Sequence, residues 1–202
     1  MTDDRYRWQM LNRLFVFIRA INTGGRRMTN EELLDPFVRL GFEDVAAYQA
    51  AGNITFRCEE TDAAQPERLN AFLTEAYGFN PVLFMRTIDD MRTIVEAGPF
   101  SAGDLAGTEG RVQVSLLQRA PDEPSIAEVL NLVPPEDRIV FAGKEWFWLP
   151  KKGISDSELP VGAIEKIVGP MTIRAIGTPS RMLQSTAAKP GLPAPIRSRL
   201  ES

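Results

Sequence analysis

The sequence predicts an α+β fold made of two tandem ferredoxin-like βαββαβ repeats, each followed by an extra helix. Three observations lead there. Short apolar strand-like runs alternate with amphipathic helical stretches; the order strand, helix, strand, strand, helix, strand occurs twice; and a Gly-rich break near residues 98–110 separates the two passes. That order favours a split-βαβ sheet with both helices on one face, because crossovers are right-handed and each helix must cover apolar strand surface.

Residues 1–13 are charged and aromatic by turns and read as an extension. The first strand is expected at 14–19, a near-continuous apolar run ending in Arg19. Thr29, with Glu32 three residues later, is a capping box that opens a helix, and Leu33, Leu34, Phe37, Val38 and Leu40 follow at helical spacing until Gly41. Strands at 45–49 and 54–57 flank the turn signal Ala50-Ala51-Gly52-Asn53, which makes a hairpin. Residues 66–77 carry Leu69, Phe72, Leu73 and Ala76 on one helical face, Gly78 stops that helix, and 81–85 is the fourth strand. A helix at 88–97 closes the first repeat, set at 14–100.

The second repeat, 101–184, is read as strand 112–117, helix 125–132, strands 138–141 and 146–149, helix 157–168 and strand 171–174, with a closing helix at 178–184. Local echoes support a duplication: Ala142-Gly143-Lys144 answers Ala51-Gly52-Asn53, and each half ends with a strand followed by Arg, Thr and a short helix. Residues 185–202, rich in Pro and Ala, read as a disordered tail.

Composition narrows the function. The 202-residue chain is 44% apolar, enough for a real core, and carries a net charge of −4 with a pI of about 5.1. No long-range positive field draws in a phosphate backbone, which weighs against nucleic acid as a partner. A single cysteine, Cys58, allows no internal disulfide, and the start shows no signal-peptide pattern, so a cytoplasmic location is expected. The longest apolar-rich run, around 14–21, falls short of the roughly 20 residues a membrane span needs, so no membrane partner is expected.

There is no histidine. Ser-His-Asp, Cys-His and His-based metal chemistry are therefore excluded, and any catalysis rests on Asp, Glu, Lys, Tyr, Arg, backbone amides, a cofactor or a carboxylate-held magnesium ion. The sequence specifies no cofactor, and no metal site is expected. Cys58, in a strand-like run without a base, reads as a small apolar residue.

In a βαββαβ sheet the first loop, the central hairpin turn and the segment before the last strand share one edge. That edge collects Arg19, the loop Asn22-Thr23-Gly24-Gly25-Arg26-Arg27, the turn Gly52-Asn53 and Asn80. Paired glycines let backbone amides turn toward an anion, the following helix offers its N-terminus, and the arginines add fork-shaped charge for a phosphate or carboxylate. The candidate ligand-binding residues are thus Arg19, Asn22, Gly24, Gly25, Arg26, Gly52 and Asn53, and the expected partner is a small anionic ligand. The alternative reading makes Gly24-Gly25 a simple turn and the arginines solvated, with Glu31 and Glu32 already balancing the helix dipole. Neither Gly-x-Gly-x-x-Gly nor a Walker sequence occurs.

The run Phe17-Ile18-Arg19-Ala20-Ile21-Asn22-Thr23-Gly24-Gly25, with Ala51-Gly52-Asn53 and Phe56 about thirty residues on, resembles a bacterial family known only as domain of unknown function 1697. The resemblance extends through Arg86-Thr87, Pro99-Phe100, Gly153 and Ser157 to Leu159. It implies a tandem α+β fold and a site among Arg19, Asn22, Gly24, Gly25, Gly52 and Asn53, and it implies no substrate. The chain departs from the family pattern at Ala20 (usually glycine), Ala51 (usually serine), Asp156 and Glu158 (commonly basic) and Ala175-Ile176 (typically Asn-Trp). These changes remove hydrogen-bond donors and reverse charge.

Two other features carry a functional and a structural reading. Trp146 and Trp148 alternate on one strand, where RNA-recognition domains of this topology stack bases, but the scarcity of flanking charge favours core packing. The acidic groups Glu59-Glu60-Asp62, Asp89-Asp90 and Asp122-Glu123 sit at helix starts and read as caps. Three function classes stand in order: a small-anion-binding protein, an enzyme working without histidine, and an RNA-binding or protein-interaction module.

Overall fold

Alternating apolar residues along β1 (Asn12–Arg19) set the architecture: Phe15 and Phe17 point to one face, Val16 and Ile18 to the other, and all four are buried. A computed structural model describes residues 11–19, 21, 25, 27–49, 52–59 and 65–187. After β1 come α1 (Asn30–Arg39), β2 (Glu43–Ala47), β3 (Asn53–Cys58), α2 (Pro66–Tyr77), β4 (Val82–Thr87) and α3 (Ile88–Glu96). A short α4 (Ala102–Ala106) leads to β5 (Gln113–Leu117), α5 (Glu123–Leu130), β6 (Arg138–Ala142), β7 (Glu145–Leu149), α6 (Val161–Val168), β8 (Met171–Ala175) and α7 (Gly177–Ala187).

The fold is α+β, with two four-stranded antiparallel sheets in the orders β2-β3-β1-β4 and β6-β7-β5-β8. Helices α1 and α2 cover one face of the first sheet, where Leu33, Phe37, Leu69 and Leu73 meet Val16, Ile18, Ile54 and Phe56. Helices α5 and α6 cover the second sheet likewise, with Val129 and Ile164 against Leu117, Trp146 and Trp148. The other two faces share one cluster: Phe15, Phe17, Phe84, Met91 and Ile94 pack with Val114, Leu116, Phe147 and Met182. Full burial of such a side chain is worth about 1.5–3 kcal/mol, so this seam is core in its own right. Helix α3 packs on α7 across it.

Most element ends shift by a residue or two from the sequence expectation; three starts differ through contacts made in the fold, and one helix is new. Strand β1 starts at Asn12, inside the expected extension, because Arg13 is buried, pairs with Asp44 and bonds Thr55 Oγ1 at 3.3 Å. Strand β2 runs Glu43–Ala47 instead of 45–49: Gly41 (φ +79°) ends α1 abruptly, and the strand bulges at Asp44 (φ +47°), whose carboxylate Arg13 holds. Helix α6 starts at Val161, not at 157, because Ser157 donates to Asp137 Oδ2 at 2.6 Å and Pro160 takes the N-cap position. Helix α4 was not expected, yet Ser101 and Asp104 form a full capping box for it. The expected tail contributes its first residues to α7, and 188–202, like 1–10, lie outside the described residues. Among the described residues no helix is long and apolar enough to cross a membrane.

Candidate functional site at the seam

Arg19, Gly52 and Asn53 come together at one end of the seam, and each is engaged. Arg19 forms a two-pronged ion pair with Glu165 of α6, one prong being Nη2 to Oε2 at 3.0 Å. Gly52 has φ +72°, and its carbonyl accepts from Ile18 N–H at 2.7 Å; a Cβ there would lie 2.6 Å from Ile18 O. Asn53 is fully buried, donates through Nδ2 to Tyr48 O at 3.1 Å and accepts at Oδ1 from Arg174 Nε at 2.9 Å. Gly25 has φ +82° with open space around it, the mark of a turn glycine. Asn22, Gly24 and Arg26 lie outside the described residues, as do Ala20 and Ala51.

Two members of the expected edge go elsewhere. Asn80 turns to α2, where its Oδ1 accepts from Asn70 Nδ2 at 2.9 Å. Arg27 lines a separate groove of about 580 Å³ with Glu31, Glu32, Asp35, Arg39 and Tyr77.

The seam is closed by two arginine clasps that sequence reasoning missed, and they are reciprocal. Arg86, at the end of β4, donates from Nε to Glu145 at 2.5 Å, from Nη1 to Met85 O at 2.7 Å and from Nη2 to Leu117 O at 2.8 Å. Arg174, at the end of β8, donates from Nε to Asn53, from Nη1 to Ile173 O at 2.9 Å and from Nη2 toward Ile18 O at 3.5 Å. Asn53 opens β3 and Glu145 opens β7; Phe17 stands opposite Asn53 as Leu116 stands opposite Glu145. Each half therefore inserts its last-strand arginine into the other half's hairpin, atom for equivalent atom, as in an isologous contact. The signal was present as the repeated strand-then-arginine ending. Burial depresses the Arg174 guanidinium below the usual arginine range.

The other described candidates resolve into structure; Glu60 and Asp62 lie outside the described residues. Trp146 and Trp148 are buried beneath α5 and α6, and Trp148 Nε1 donates to Asp137 at 2.9 Å, so neither ring is open to a stacked base. Burial pushes the Cys58 thiol up, which suppresses the thiolate. Asp90 completes a capping box with Thr87, and Asp122 caps α5 through Ser125 N–H at 2.9 Å. Among the described residues no three acidic or thiol side chains converge as metal ligands do.

A profile for the family described as protein of unknown function (DUF1697) matches residues 11–147. The chain belongs to that family. The match takes in the whole first sheet, Arg19 and the Glu145 end of the clasp, and it ends before Gly153 and Ser157 to Leu159, to which the motif resemblance extends. Among solved structures, that of a conserved bacterial protein from Streptococcus pneumoniae is similar, with a TM-score of 0.66 at 22% identity, covering 88% of this chain and 99% of that one. At that identity the likeness is one of fold. A search of curated proteins finds no significant match.

Proposed function

We propose that this DUF1697 member is a cytoplasmic binding protein that takes a small phosphate- or carboxylate-bearing ligand at the Arg19 end of the seam, with Asn22, Gly24, Gly25, Arg26, Gly52 and Asn53 as the other candidate residues. One observation carries the reading: the Arg19 side chain is 39% exposed at the end of an otherwise buried strand, and its present partner, Glu165, is a carboxylate. A guanidinium already oriented in a two-pronged geometry exchanges one carboxylate for another, or for a phosphate, without rebuilding the strand. Gly25 has open space around it, which leaves its backbone accessible. The strand order and antiparallel pairing support reading each half, 14–100 and 101–184, as a ferredoxin-like unit, and the reciprocal clasps support their origin by duplication.

The same pair favours a second reading, in which Arg19–Glu165 only fastens the two halves. The test is Arg19→Met beside Glu165→Gln, followed by thermal melts with inorganic phosphate, acetate and citrate. For a binding site, Arg19→Met abolishes anion stabilisation and changes the free protein by less than about 1 kcal/mol, as a half-exposed pair should; Glu165→Gln strengthens the anion response. For a fastener, Arg19→Met costs about 1–3 kcal/mol and no anion stabilises either variant or the parent.

A further inference from the structure

The reciprocal clasps make the two ends of the seam counterparts, so the end opposite Arg19 can be read position by position. Ile18 corresponds to Leu117, each donating its N–H to the residue before the hairpin's second strand, Gly52 and Lys144 respectively. Arg19 therefore corresponds to Gln118, Ala20 to Arg119 and Gly52 to Lys144, with Arg174 matched by Arg86. At the Arg19 end the protein supplies its own anion, Glu165. The counterpart end is open.

A cavity of about 390 Å³ lies there, walled by Asn70 of α2, Leu83 and Met85 of β4, and Gln118, Arg119 and Lys144 from the second half. The Gln118 amide donates to Leu83 O at 3.2 Å and holds the wall in place. Among the described residues neither the Arg119 guanidinium nor the Lys144 ammonium forms a hydrogen bond or ion pair, and no hydrogen bond uses Asn70 Oδ1. Arg86, also at this wall, is satisfied by Glu145 and backbone carbonyls. Two carboxylates stand nearby: Glu67 lines the rim, and Asp90, bound in the Thr87 cap, feels the Lys144 charge.

We propose that this cavity binds a small phosphate monoester, with Arg119 and Lys144 on the phosphate and Asn70 Oδ1 accepting a hydroxyl of the ligand body. A fork-shaped guanidinium beside a point-charge ammonium suits a group that carries nearly two negative charges and three acceptor oxygens. The volume lies within the range of small-ligand pockets, which begin at about 300 Å³. The site shares no residue with the Arg19 end and stands or falls separately from it.

The experiment titrates ribose 5-phosphate and inorganic phosphate into the full chain, with binding read by phosphorus NMR line broadening and calorimetry. Saturable, salt-weakened binding of ribose 5-phosphate is expected. It should weaken about tenfold or more in Arg119→Met and in Lys144→Met, tighten in Glu67→Gln, and stay unchanged in Arg19→Met. Arg119 is exposed and Lys144 half-buried, and melting temperatures show whether those variants stay folded; Asn70→Asp, which sets a carboxylate against the ligand, should abolish binding independently. Absence of saturable binding overturns the site, as does binding that survives both Arg119→Met and Lys144→Met. Binding lost in Arg19→Met alone also overturns it and locates the anion at the other end of the seam.

Discussion

Arg86 shows how much a single residue can be asked to hold. Its side chain is 1% exposed, and it satisfies Glu145, 13% exposed, together with the carbonyls of Met85, Leu117 and Lys144. Arg86→Met leaves a nearly buried carboxylate without its counter-charge, and we expect a loss of about 3–5 kcal/mol in urea denaturation. Glu145→Gln keeps an acceptor for Nε but leaves the buried guanidinium without its counter-charge, so a charge-based clasp predicts a loss close to that of Arg86→Met; a loss of only about 1 kcal/mol would show that hydrogen bonding, not charge, holds it. Tyr77 is a second sensitive residue. Burial, with a smaller push from Asp35, raises its phenol well above the ordinary range, and its hydroxyl donates to Leu33 O at 2.6 Å. Because the folded value lies above the unfolded one near 10, the tyrosine's contribution is complete below pH 10 and declines as pH rises beyond it, since only the unfolded chain then releases the proton. Urea midpoints should therefore fall above pH 10 in the parent and fall less in Tyr77→Phe. Both arginines were visible in the sequence as a repeated ending, but their partners were not. Asn53 lies 121 residues from Arg174, and no local period links such positions.

At the scale of elements, the two hairpins look alike in sequence and differ in tolerance. Gly52 and Gly143 both have positive φ, but a Cβ on Gly52 meets the Ile18 carbonyl at 2.6 Å, whereas one on Gly143 meets only Glu145 Oε2 at 4.0 Å. Gly143→Ala should cost about 1 kcal/mol, the strain of the left-handed region alone. Gly52→Ala adds a clash with backbone that cannot rotate away, and its loss should exceed that of Gly143→Ala by at least about 1 kcal/mol; equal losses would argue against the close approach. The caps give a pH signature. Backbone and hydroxyl bonds from Thr29 lower Glu32, the Ser101 hydroxyl and N–H lower Asp104, and Ser125 lowers Asp122. Asp90, which burial alone would raise, is brought below its usual value by Thr87, Lys144 and Arg86. Lowered carboxyls contribute stability above their unfolded values near 4 and lose it as pH falls through the folded values, so urea midpoints should hold from pH 7 to about 5 and drop below about 4. Strands and helices were readable because apolar periods and capping boxes are local. Misplaced boundaries have tertiary causes: Arg13 reaching Asp44 shifts β2, and Asp137 holding Ser157 delays α6. Helix α4 was readable from Ser101 and Asp104, but the surrounding glycines hid it. Of the seven candidate site residues, the motif brought Arg19, Gly52 and Asn53 to one place, while Glu165 and Arg174 come from across the seam and left no mark near the motif.

The whole molecule is held by a cluster that belongs to neither half. Phe15, Phe17 and Phe84 from one sheet and Val114, Leu116 and Phe147 from the other share it, so exposing one side exposes the other. Heat should therefore unfold the chain in one transition with equal calorimetric and van't Hoff enthalpies; two resolved transitions would show that the halves are independent. Between them, Glu109 N–H bonds Lys151 O at 3.1 Å and Thr108 bonds Pro150 O at 2.5 Å, so the linker's end already belongs to the second half. What the linker contributes to the seam is then chiefly a local concentration, which for short tethers is of order millimolar. A chain cut between Glu96 and Ala102 should behave as a split protein: each fragment alone shows an apolar face and one unpaired clasp, and the two reassemble on mixing with an affinity set by the seam. Such a pair would turn the strength of two arginine clasps into a dissociation constant.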